Sequence, residues 1–182
     1  MNAPAPGPDS SFASSPDERL RNLAVAPLLS LDKDQVQTYF QQMYSHDTLK
    51  YRLSDVVEPT WSDVLDVIKR IGKQMFMVVD QNSDDILGEF TLENATGHAV
   101  QGHFSTHPTL SWPERLEIGR FALRFILKNP YIDAVFGLTP LTNRPACIYA
   151  LKIGFKKQGI LHHGMLVNSV PEDCMISVAH NG

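Results

Sequence analysis

The chain has 182 residues, 43% of them hydrophobic, and a formal net charge of −4 at pH 7. That length and apolar content suit one domain with a sizeable core, and the mild negative charge argues against a surface built for non-specific nucleic-acid binding. The two cysteines, Cys147 and Cys174, make no disulfide framework, no apolar run reaches the roughly 18 residues of a membrane span, and the Pro/Ala/Ser-rich start lacks an apolar signal core, so the expected setting is the cytoplasm.

Residues 1–18 scatter four prolines among Gly, Ser and Asp and read as a disordered tail, with a single domain expected over 19–182. Leu23 to Leu29 reads as a first strand, edged by Pro27. Asp32 to Ser45 carries Val36, Tyr39, Phe40 and Met43 at helical spacing, and Ser62 to Ile71 repeats the pattern with Gly72 as its stop. Met75 to Val79 and Ile86 to Leu92 flank a polar turn and predict a hairpin. Asn94 to Gly97 reads as another turn, leading to a strand over Ala99–Thr106. Ser111 with Glu114 forms a capping box, and Pro113 suits the first turn of a helix running to Lys128. Ala134 to Leu138 is nearly all apolar, as a strand at a sheet centre should be. A helix over Thr142–Ile153 and two strands, Phe155–Val167 and Cys174–Ala179, complete a mixed α/β order of six to seven strands and about four helices. The final strands are candidates for pairing between two subunits.

One stretch is more specific than the rest: Thr142-Asn143-Arg144-Pro145-Ala146-Cys147-Ile148-Tyr149-Ala150-Leu151-Lys152-Ile153-Gly154-Phe155. An Asn opens a short helix, Ala146, Ala150 and Ile153 recur on one face, and Gly154 stops it. This stretch, with the order of elements, resembles the last helix and following strand of the GCN5-related N-acetyltransferases (GNAT). The resemblance covers roughly Met75 to Val167. It implies an acyl-CoA N-acyltransferase fold, acetyl-CoA as co-substrate and a small-molecule or protein amine as acceptor. The run Thr139-Pro140-Leu141-Thr142-Asn143-Arg144-Pro145-Ala146 is also similar to GNAT-like proteins of tailed bacteriophages. That likeness implies a second reading, a non-catalytic binding or virion-assembly module.

Moving an acetyl group from a thioester to an amine needs a grip on the donor, polarisation of the carbonyl and a base for the amine proton. In the family the donor's pyrophosphate rests on backbone N–H groups where a glycine-rich loop enters the long helix, a helix N-terminus being a natural anion site. The corresponding segment here, His107 to Gly119, lacks the usual Gln/Arg-x-x-Gly-x-Gly/Ala pattern. Only Gly119 remains, Pro113 removes one N–H, and Glu114 and Glu117 add negative charge. Arg115 and Arg120 are the cations that would compensate. The resemblance assigns backbone contacts with the pantetheine arm to the strand ending at Phe104 and Thr106, and makes Asn143 an anchor for that arm. Plain helix capping explains Asn143 equally well.

Alternation puts His103, Ser105 and His107 on one face of their strand. His103 and Glu89 are the candidate bases, and Ser105 or solvent is the candidate proton source for the leaving thiolate. The family's thiolate-protonating Tyr is replaced by Ala150. Tyr149 lies about 100° around the helix, where a packed core role competes with an acid role. Cys147 has no base partner in the sequence and reads as a buried thiol. Adjacent His162 and His163 point to opposite faces of a strand and no metal-binding spacing is present, so no metal is expected.

Overall fold

The computed structural model describes Leu20, residues 22–45, Asp66, Lys69, Arg70 and residues 74–181. The N-terminal tail and the segment 47–59 lie outside them. Of the helix expected at Ser62–Ile71, only Asp66, Lys69 and Arg70 are described, all helical.

Seven strands form one sheet: β1 (Leu23–Pro27), β2 (Met75–Asp80), β3 (Ile86–Thr96), β4 (Ala99–Thr106), β5 (Ala134–Pro140), β6 (Lys156–Val167) and β7 (Val170–His180). Three α-helices are described with them: α1 (Lys33–Ser45), α2 (Trp112–Leu127) and α3 (Arg144–Ile153). The spatial order is β1-β2-β3-β4-β5-β7-β6. All neighbours are antiparallel except β4 and β5, which run parallel through the α2 crossover. β7 pairs with both β5 and β6 of its own chain, so β6 forms the sheet edge.

Several element ends differ from those expected of the sequence, each for a local reason. β1 stops at Pro27, which has no N–H for a ladder, and Leu28–Ser30 closes into a 3-10 turn. β3 runs on to Thr96, because Gly97 at φ +61° permits a two-residue turn between Thr96 and Ala99. β6 and β7 form a longer hairpin than expected. Asn168 and Ser169 both adopt positive φ, the turn that suits strand twist.

Two layers cover the sheet. Opposed residues of neighbouring antiparallel strands share a face. Phe76, Phe90 and Phe104 thus stack in a row, with ring centroids 5.2 and 6.1 Å apart. This face receives α2 through Ile118, Ala122, Leu123 and Ile126. The other face carries Met75 and Met77, packed with Tyr39, Phe40 and Met43 of α1. Each large apolar side chain buried here contributes about 1.5–3 kcal/mol.

At Gly119 α2 lies close against Tyr149 and Ile153 of α3. A methyl group there would run into the Tyr149 hydroxyl and stand 2.8 Å from Ile153 Cγ2. Gly119→Ala is expected to wedge the helices apart and cost about 1–3 kcal/mol, measurable by urea unfolding.

Candidate active site at the strand split

β4 and β5 pair only over Ala99–Gln101 and Ala134–Phe136. Beyond that point each strand keeps its outer partner. β4 stays on β3 through Thr106, and β5 stays on β7 through Pro140. The inner edges therefore part, and a cavity of about 360 Å³ opens between them. Its walls include successive residues of both strands, His103 to Thr106 and Gly137 to Pro140. Successive strand residues face opposite ways, so the cavity passes through the sheet, from the α2/α3 side to the α1 side.

The backbone on the split edge can be assigned by parity. His107 donates its N–H to Leu87 O at 2.8 Å. In an antiparallel ladder both backbone groups of a residue point the same way, and direction alternates. Ser105 and His103 therefore bond to β3, while the N–H and C=O groups of Phe104 and Thr106 face the split. An edge of this kind suits an extended chain carrying amides.

The side chains sort by face. His103 and Ser105 line the cavity on the α1 side together with Met43, and His103 Nε2 stands 3.9 Å from Glu93 Oε2. His103 and Glu93 keep 33% and 30% of their side-chain exposure, so the pair is open to solvent and to a ligand. Glu89 lies directly opposite Ser105, but is only 2% exposed and does not reach the cavity wall. Of the residues chosen from sequence, the cavity gathers His103, Phe104, Ser105, Thr106, Arg115 and Asn143. Glu89, Gly119 and Arg120 stand outside it. Gly119 serves the helix contact described above. Arg120 donates to Glu117 Oε1 at 2.5 Å and to Lys152 O at 3.2 Å, which ties it to α3.

At the start of α2, Ser111 donates its N–H (2.8 Å) and its hydroxyl (2.6 Å) to Glu114 Oε2, the capping box expected from sequence. Arg115 folds back over the preceding loop, with Nε on Leu110 O at 2.8 Å and Nη2 on Pro108 O. Asn143 caps α3, its Oδ1 accepting from Ala146 N at 3.2 Å. The cap turns Asn143, Pro145 and Ala146 toward the cavity.

Tyr149 lines the cavity and also packs against the core cluster, the packed role that the sequence offered beside the acid role. Its hydroxyl donates to Arg115 O at 3.3 Å and its ring meets Trp112 edge-to-face at 6.1 Å. Burial pushes its phenol far above the ordinary tyrosine value, and nearby Arg115 only partly offsets this. A proton held so firmly is a poor one to donate. Tyr149→Phe is therefore expected to keep turnover within about threefold of wild type and to lose about 1 kcal/mol of stability, the worth of one hydrogen bond. Steady-state kinetics and urea unfolding check both parts.

Cys147 lies 3.6 Å from Pro140 O, and burial raises its pKa against the pull of Lys157. The thiol is half-buried and outside the cavity lining, and a raised pKa argues against a thiolate nucleophile. On β6, His162 Nδ1 and the His163 N–H both contact the Asp173 carboxylate, at 2.9 and 3.0 Å, which pins the bulge in that strand. Among the described residues no group of three or more His, Cys, Asp or Glu converges as a metal site. No described helix is long and apolar enough to cross a membrane.

The mixed seven-stranded sheet with its helices superposes on several solved structures. A GNAT-family acetyltransferase from Bacillus anthracis superposes with a TM-score of 0.71 at 16% identity, covering 87% of this chain and 95% of that one. The fold is that of the GNAT acetyltransferases. A GCN5-related N-acetyltransferase from Brucella melitensis also gives 0.71 at 16% identity, over 88% of this chain and 76% of that one. Spermidine N-acetyltransferase from Vibrio cholerae, solved with CoA and spermine, gives 0.67 at 12% identity, over 87% and 95%. No protein-family model and no curated protein matches the sequence. Set in the GNAT fold, the split between β4 and β5 is the feature on which a functional reading turns.

Proposed function

We propose that the protein is an N-acyltransferase that takes an acetyl group from a pantetheine thioester such as acetyl-CoA and passes it to an amine. The observation that carries this reading is the through-sheet cavity, with two unladdered peptide groups on one edge and an imidazole at its far side. The fit to a pantetheine arm rests on chemistry. The arm is narrow and extended and carries two amides, and Phe104 and Thr106 present donors and acceptors at strand spacing. Asn143 and the small Ala146 leave room beside it.

The donor supplies an activated acyl carbon. The protein's part is positioning and proton handling. An N–H of the β4 edge polarises the acyl oxygen as negative charge develops there. His103 takes the amine proton, and the Glu93 carboxylate favours the imidazolium that forms. Glu89 is buried behind Ser105 and acts on the cavity only through that hydroxyl or a water. The thiolate takes its proton from Ser105 or solvent, Tyr149 being committed to Arg115 O.

A second reading, a binding or virion-assembly module of bacteriophage type without catalysis, draws support from Ala150 in place of the family tyrosine and from the closed loop before α2. The experiment that separates the two is thiol release from acetyl-CoA in the presence of polyamines, amino acids or peptides with free α-amino groups. Amine-dependent release, with acetylated amine found by mass spectrometry, supports the enzyme. Absence of binding of acetyl-CoA and of shorter acetyl-pantetheine thioesters to the purified protein overturns it.

A further inference from the structure

The loop that should cradle a pyrophosphate is already satisfied from within the chain. Residue by residue, His107 N–H goes to Leu87 O, Thr109 N–H to His107 Nδ1 (3.4 Å), Leu110 N–H to His107 O (3.2 Å) and Arg115 N–H to Ser111 O (3.0 Å). Ser111 N–H goes to the Glu114 carboxylate, and the capping box takes Glu114 N–H onto the Ser111 side chain. Pro108 and Pro113 have no N–H to offer. Trp112 N–H is thus the one backbone donor of residues 107–115 not engaged among the described residues. The Glu114 carboxylate also sits where the helix dipole would otherwise attract phosphate. The two cations that could take over are held elsewhere. Arg115 spends Nε and Nη2 on loop carbonyls, and Arg120 is tied to Glu117 and Lys152 O.

The cavity between β4 and β5 shows no such closure. The arm end of the donor site is open, while the diphosphate end is filled by the chain's own anion. We propose that this site, read as an acyltransferase, selects its donor by the acyl-pantetheine arm alone. Thioesters that lack the nucleotide diphosphate are then donors as good as acyl-CoA. The transfer is the same for any of them. The C–S bond breaks as the C–N bond forms, the amine proton passes to His103, and the pantetheine leaves as a thiol once its sulfur is protonated.

Titration calorimetry on the full chain with three probes tests this: S-acetyl-pantetheine, S-acetyl-4′-phosphopantetheine and acetyl-CoA. All three are expected to bind within about tenfold of one another, a spread of about 1.4 kcal/mol. Glu114→Gln keeps an oxygen for the Ser111 N–H and removes the charge. It is expected to tighten acetyl-CoA binding about three- to tenfold at low salt and to leave S-acetyl-pantetheine unchanged. Acetyl-CoA binding 100-fold or more above S-acetyl-pantetheine in the unaltered protein overturns the inference while sparing the acyltransferase reading. So does a Glu114→Gln effect that is equal on all three probes. Failure of all three to bind overturns both.

Discussion

Replacing His103 by glutamine is expected to lower kcat/KM by about 10²- to 10⁴-fold, the usual worth of a positioned general base, without loss of donor binding. His103 is a part-exposed wall residue, so the fold does not depend on it. Glu89→Gln is the matched comparison. Glu89 lies in the same row as Ser105, yet is buried away from the cavity. If Glu89→Gln removes activity and His103→Gln does not, the base is Glu89 acting through Ser105, and the assignment made here is wrong.

Filling the cavity should have a comparably large effect on binding. Ala146 lines it in the first turn of α3, next to the Asn143 cap. Ala146→Phe adds a ring to open space, so the helix and its cap are expected to persist with normal circular dichroism. Donor affinity should fall by about 100-fold or more, a loss of roughly 2.7 kcal/mol. Unchanged affinity would place the donor somewhere other than the strand split.

Much of the fold was legible because the signals were local. Gly154 after an apolar helical face and Ser111 with Glu114 marked helix ends that the structure keeps. The run Met75–Val79 marked a strand through its β-branched and apolar residues. Period-two alternation put His103 and Ser105 on one face, and that too holds. Alternation fixes a face, however, and not a depth. Nothing in the spacing of Glu89 distinguishes a buried carboxylate from one on a cavity wall, since that depends on where α1 lies over the sheet.

Long-range packing hid the rest. Gly119 occupies the position of a phosphate-loop glycine in the sequence, yet its lack of a side chain serves Tyr149, thirty residues on. Met43 and Met165 come to the cavity from α1 and β6, and no local pattern ties either to β4. The split itself has one faint mark in the sequence. Gly102 and Gly137 stand just past the last β4–β5 pair, where the backbones come close before parting.

The most direct test of the account is amide NMR of the isotope-labelled protein titrated with S-acetyl-pantetheine. The largest shifts are expected on Phe104, Thr106 and the β5 residues Gly137 to Thr139, with smaller ones at Asn143 and Ala146. Shifts confined to other surfaces, or none at saturating ligand, would contradict the claim that the opening between β4 and β5 is an acyl-donor site.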